Sequence, residues 1–154
     1  MKDYRSFAVV SLVAFLALAI SFVLTTSNVH APVVPIDAAA PLQFEVVRTP
    51  EQWSLGLGGR TSIPKGYGML FVFPKADRYS FWMKDMLVPI DIVWLSDNGT
   101  IVGIEESVLP ETYPDTSYTA PKPVHIVLEM RAGESRARGY QVGDRITLPD
   151  NWQK

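Results

Sequence analysis

Two carboxylates set inside apolar strands are the groups in this 154-residue chain best placed to do chemistry. Asp91 is the second residue of IDIVWL (Ile90–Leu95), and Glu129 is the sixth of VHIVLEM (Val124–Met130). Burying an unpaired carboxylate costs on the order of several kcal/mol, so each needs a partner or a task. The cations at hand are Arg60, Lys84 and, when protonated, His125. Arg60 presents a planar fork that matches a carboxylate, and the expected pair is Arg60 with Asp91. His125 shares the alternating face of Glu129. The functional reading is a polar cluster of Arg60, Lys84, Asp91, His125 and Glu129 lining a pocket. The plainer one is a structural ion-pair network or charges at strand edges. Asp91 and Glu129 as acid and base would suit hydrolysis of a cell-wall polymer, which needs both on one cleft. No spacing in the sequence brings them together.

Other chemistries are narrowed by composition. The chain has no Cys, which excludes disulfides, thiolate metal sites and a Cys nucleophile. Two His are too few for a His-rich metal centre and nothing resembles a calcium loop, so no metal or cofactor is expected. A net charge of −2 gives no basic footprint, and no nucleic-acid partner is expected. Ser54 and Ser80 lack a G-x-S-x-G setting. The glycines of LGLGGR close a helix, whereas a phosphate cradle would open one. Phe81, Trp82 and Trp94 could stack a sugar or a base, although core packing is their commoner role. Asn98-Gly99-Thr100 is a glycosylation sequon that a hairpin turn also explains.

The elements that must hold these residues are short. FEVV (Phe44–Val47) reads as a strand. In TPEQWSLGLGGR, Thr49 can cap a helix, Pro50 suits its first position and Gln52 completes a capping box. Gly56, Gly58 and Gly59 then stop it. GMLFVF (Gly68–Phe73), YSFWMK (Tyr79–Lys84), IDIVWL and TIVGIEE read as strands, the last two joined through Asn98-Gly99. IDIVWL is apolar on both faces, so both should be covered. Ser107–Pro123 holds four prolines and reads as a long loop. VHIVLEM, a helical turn over Glu134–Arg138 and a closing strand DRITL follow. About seven short strands and two short helices predict a β-rich α+β domain, shaped as a partly closed barrel.

Ahead of this domain, Phe7–Leu24 is eighteen residues free of charge and proline, preceded by Lys2 and Arg5. As a helix it would span about 27 Å, the thin end of a bilayer core. Basic residues on its short side predict a cytoplasmic N-terminus and an exported remainder. A cleaved signal peptide is the alternative, which would make the domain secreted; its apolar core is usually shorter, about 7–15 residues. The expected organisation is a cytoplasmic 1–6, an anchor at 7–24, a Pro/Ala-rich linker at 25–42, one domain at 43–149 and a tail at 150–154.

TPEQWSLGLGGR, GMLFVF, SFWMKDMLVPIDIVWL and VLEMRAG with GYQVGD, taken in order, resemble the domain of unknown function 192 family over Phe44–Leu148. The resemblance implies a compact β-rich domain, often exported or anchored, with no activity assigned. The matching motif positions are Gly56, Arg60, Trp82, Met83, Asp91, Glu129, Gly133, Gly143 and Asp144. Many members carry two cysteines in the loop corresponding to Ser107–Tyr118. This chain carries none there, so the resemblance implies no redox or disulfide role. The sequence as a whole points to a single-pass, membrane-anchored extracytoplasmic domain acting as a binding or accessory module at the cell envelope. Its partners would be a small ligand or another envelope protein. The two alternatives are the hydrolase and a purely structural partner of such a protein.

Overall fold

The computed structural model describes residues 41–153. The expected anchor at 7–24, the linker up to residue 40 and Lys154 lie outside the described residues. Among the described residues no helix is long and apolar enough to cross a membrane.

The elements are β1 (Gln43–Val47), α1 (Pro50–Leu55), β2 (Tyr67–Asp77), β3 (Ser80–Phe81), β4 (Ile90–Leu95), β5 (Ile101–Val108), β6 (Tyr118–Thr119), β7 (Val124–Arg131) and α2 (Glu134–Ala137). The start of α1 follows its local chemistry. Thr49 Oγ1 accepts from Gln52 N at 3.3 Å, and Gln52 Oε1 accepts from Thr49 N at 3.1 Å, with Pro50 opening the helix. Five strands form one sheet in the order β1-β2-β7-β4-β5, parallel only between β1 and β2. β3 and β6 make a separate antiparallel pair.

Alternation along the strands builds two cores. One face carries Phe71, Phe73, Ile92, Trp94 and Val127, covered by Trp53, Leu57, Phe81 and Met83. The other carries Leu70, Val93, Leu95, Ile126, Leu128 and Met130, covered by Ile146, with Tyr140, Leu148 and Trp152 packed against it. β4, buried at all six residues, is sandwiched between them, as its two-sided apolar pattern requires.

Four expectations are corrected. The sheet is open and not a partly closed barrel, because among the described residues β1 pairs only with β2 and β5 only with β4. The expected closing strand DRITL reduces to one bridge, Thr100 with Arg145. The chain there crosses the β4–β5 turn, touching it through Ile101 N to Asp144 O, Gly143 N to Ile101 O and Ile146 N to Gly99 O. That approach requires Gly99, since a Cβ there would lie 2.2 Å from Ile146 O. YSFWMK keeps only Ser80–Phe81 as strand, because the chain turns next, with Asp85 in the left-handed region at φ 58. Ser107–Pro123 is more than a loop: it finishes β5, makes a 3-10 turn at Pro110–Thr112 and supplies β6.

Candidate functional site

Asp91 lies on the face whose cover is the C-terminal part of the chain, opposite Met130 in the β4–β7 register. It is fully buried. Its Oδ1 accepts from Ser107 N at 2.8 Å and Gly133 N at 3.0 Å, and its Oδ2 from Ser135 N at 2.8 Å. Ser107 sits at φ 55, so the carboxylate holds a strained backbone as well as the start of α2. The charge is spread over three peptide dipoles, which is how a carboxylate is kept inside without a cation. Nearby Glu134 is also buried and satisfied, by Gly66 N, Arg131 Nε and Arg138 Nε.

The expected Arg60–Asp91 pair does not form. Arg60 lies across the other face, where it bonds Glu45 Oε2 at 2.9 Å and the Tyr67 hydroxyl at 2.8 Å. Tyr67 also donates to Glu45. Burial pushes the Tyr67 phenol up to about 12, so it remains a donor. His125 shares a face with Glu129 but stands four residues away, roughly 14 Å along a strand. It pairs with Asp97 at 2.8 Å instead. Asp91 and Glu129 cannot act as one acid–base pair. Glu129 lies opposite Ile92 and Asp91 opposite Met130, so their side chains leave opposite sides of the sheet.

Glu129 and Lys84 do share a place. A cleft of about 300 Å³ opens between α1 with its exit loop, β2 and the Tyr79–Met86 segment. Its walls are Trp53, Phe71, Phe73, Tyr79, Phe81 and Trp82, with Ser54, Leu55, Ser80, Lys84 and Glu129 among its lining. The rings brace one another: Phe73 stacks on Tyr79 at 3.7 Å, and Phe71 meets Phe81 edge-on at 5.2 Å. Glu129 is 5% exposed, and its Oε2 has no hydrogen-bond partner. Arg48 Nε, Trp94 Nε1 and Ser135 Oγ are also buried without partners, but none of these residues lines the cleft. Burial pushes the Glu129 carboxyl up to about 8, with the Arg60 guanidinium pulling the other way. At neutral pH it is mainly the neutral acid, offering an O–H donor as well as acceptor oxygens.

The motif positions divide between scaffold and cleft. Gly133 and Gly143 take positive φ, and Asp144 Oδ2 caps the turn at Gln141 N. Met83 is core. Gly56 and Trp82 border the cleft; a Cβ on Gly56 would sit 3.6 Å from Glu129 Oε2 and 3.4 Å from the Phe71 ring. Sequence reasoning missed Trp53, Phe71, Phe73 and Tyr79 as wall residues, because each reads as ordinary core. Trp82, named with Phe81 and Trp94 as able to stack a sugar or a base, is 55% exposed and so departs from the core role commoner for such residues.

Residues 33–148 match the model of the DUF192 family, described as an uncharacterized ACR. Two solved structures are similar. One, from Sinorhizobium meliloti 1021, is described as a "putative transcription regulator"; it is 33% identical, with a TM-score of 0.64 over 68% of this chain and 79% of that one. The other, a protein of unknown function from Novosphingobium aromaticivorans DSM 12444, is 28% identical, with a TM-score of 0.65 over 70% of this chain and 75% of that one. No match was found among curated proteins.

Proposed function

Because the chain belongs to the domain of unknown function 192 family, a membership that brings no activity with it, we propose a role from the site itself. The protein is a binding module at the cell envelope, held to the membrane by Phe7–Leu24 with its N-terminus in the cytoplasm. Its ligand is taken by the aromatic cleft over Glu129. The carrying observation is the unpartnered Glu129 carboxyl, 95% buried, in the wall of a cleft walled by six aromatic rings. Such a group costs stability, and retaining it is the signature of a working site. A hydrolase reading needs a second carboxylate on the cleft, and Asp91 lies behind the sheet. DNA regulation, suggested by the S. meliloti relative, finds little to build on. The described helices have six and four residues, and the net charge is −2.

The test is the thermal unfolding of the full chain. Glu129→Leu should raise stability by about 1–2 kcal/mol, because it removes an unpaired polar group. A loss of that size or more would make Glu129 structural and overturn the site. The alternative of a structural partner rests on Leu55 and Trp82, exposed at the cleft rim. A partner seated there would leave binding insensitive to Glu129→Leu.

A further inference from the structure

The cleft's chemistry narrows its ligand, on the reading that it is a binding site at all. We propose that it takes a sugar ring of a glycan, stacked on Trp82 and hydrogen-bonded at its inner end by Glu129. Three observations carry this. Trp82 projects from the cleft rim more than half exposed, a flat apolar surface offered to something outside the fold. The C–H face of a pyranose fits such a plane, while its hydroxyls need separate polar contacts. Residues able to make those contacts line the cleft: Ser54, Ser80 and Lys84, besides Glu129. Ser80 Oγ bonds Thr119 Oγ1 at 2.8 Å and keeps further capacity to bond a ligand. The volume, about 300 Å³, is at the low end for ligand sites and suits one end of a chain better than a large cofactor.

The rival ligand for an aromatic site with a carboxyl is an organic ammonium ion. The structure argues against it. Lys84 lines the same cleft, so a cation would meet a like charge there, and the more distant Arg60 guanidinium already acts on Glu129. The inner rings are also engaged with one another, at 3.7 Å for Phe73 and Tyr79 and 4.9 Å for Trp53 and Phe73. That leaves few free faces to cage a cation.

The experiment titrates the full chain, held in a sugar-free detergent, with cellobiose, N,N′-diacetylchitobiose and choline chloride, following tryptophan fluorescence. At least one disaccharide should give a saturable change at millimolar concentration. Trp82→Ala and Glu129→Leu should each weaken it about two- to tenfold. Trp82 is largely outside the core, so its removal leaves the fold intact for this comparison. Saturable binding of choline without either sugar would overturn the proposal in favour of a cation site. No response to either sugar would overturn it too. The stability of Glu129→Leu, read separately, then decides whether the cleft itself stands as a binding site or falls with its ligand.

Discussion

Asp91 and Glu129 sit one register step apart on hydrogen-bonded neighbours, β4 and β7, and are 0% and 5% exposed. By composition and burial they are the same problem solved twice. Asp91 accepts from three backbone N–H groups, whereas Glu129 leaves Oε2 without a donor. The difference follows from what covers each side of the sheet. Behind Asp91, the end of β5 and the start of α2 turn their peptide N–H groups inward. In front of Glu129 the cover is aromatic, and the segment that could have closed over it stops at Gly56, whose missing side chain leaves the carboxyl beside a cleft. One face uses its acid to fix the backbone. The other holds its acid ready for something not part of the chain.

The comparison breaks most easily at Asp91. Asp91→Ala removes the acceptor for three N–H groups and leaves Ser107 strained without compensation. Unpaired buried donors cost about 1–3 kcal/mol each and share relaxation, so the full chain should lose about 3–5 kcal/mol in urea unfolding. A loss below about 1 kcal/mol would mean that water replaces the carboxylate and that the two acids are not so different.

The second contrast is in pH. Burial raises Glu129 from 4.5 to about 8, so the folded state holds a proton that the unfolded chain has released across that window. The stability contributed is fully present below about pH 4.5, falls as pH rises through the window, and is gone above about 8. The slope is at most about 1.4 kcal/mol per pH unit, for a total on the order of a few kcal/mol. Glu129→Gln should flatten that part of the stability profile. An unchanged slope would show that Glu129 is ionised in the folded state, and the neutral donor assigned to the cleft would be lost.

How far this contrast was readable in advance differs between fold and site. Thr49-Pro50-x-Gln52 announced α1, Asn98-Gly99 announced the β4–β5 turn, and the apolar face pair of IDIVWL announced a doubly covered strand. All three are local signals, and local chemistry decided them. That Asp91 is buried was equally legible. Its partners were not, because backbone N–H groups belong to every residue and leave no trace in the sequence. Charge matching therefore suggested Arg60, which instead bonds Glu45 and Tyr67 across the other face. The open sheet escaped for a similar reason: DRITL has strand composition, but only its approach to Gly99 shows that it crosses the turn and does not extend the sheet. The cleft left no separate trace: Trp82 read with Phe81 and Trp94 as an aromatic more often packed in a core, and only the folded chain exposes it.

The smallest effect tests whether Arg60, wrongly paired in sequence reasoning, still belongs to the site. It bonds Glu45 and Tyr67 where its side chain is 34% exposed and that of Glu45 44% exposed, so screening by water leaves the pair worth well under about 1 kcal/mol. Arg60→Met should therefore barely move the unfolding midpoint. Its field nonetheless reaches Glu129 and opposes the upward push of burial. Removing it should raise the Glu129 titration further, observed by carboxyl carbon resonances of the folded chain against pH. If Glu129 does not respond, Arg60 has no part in the site. If it responds, Arg60 is a distant electrostatic neighbour of the cleft, setting how readily its acid gives up a proton without touching what the cleft binds.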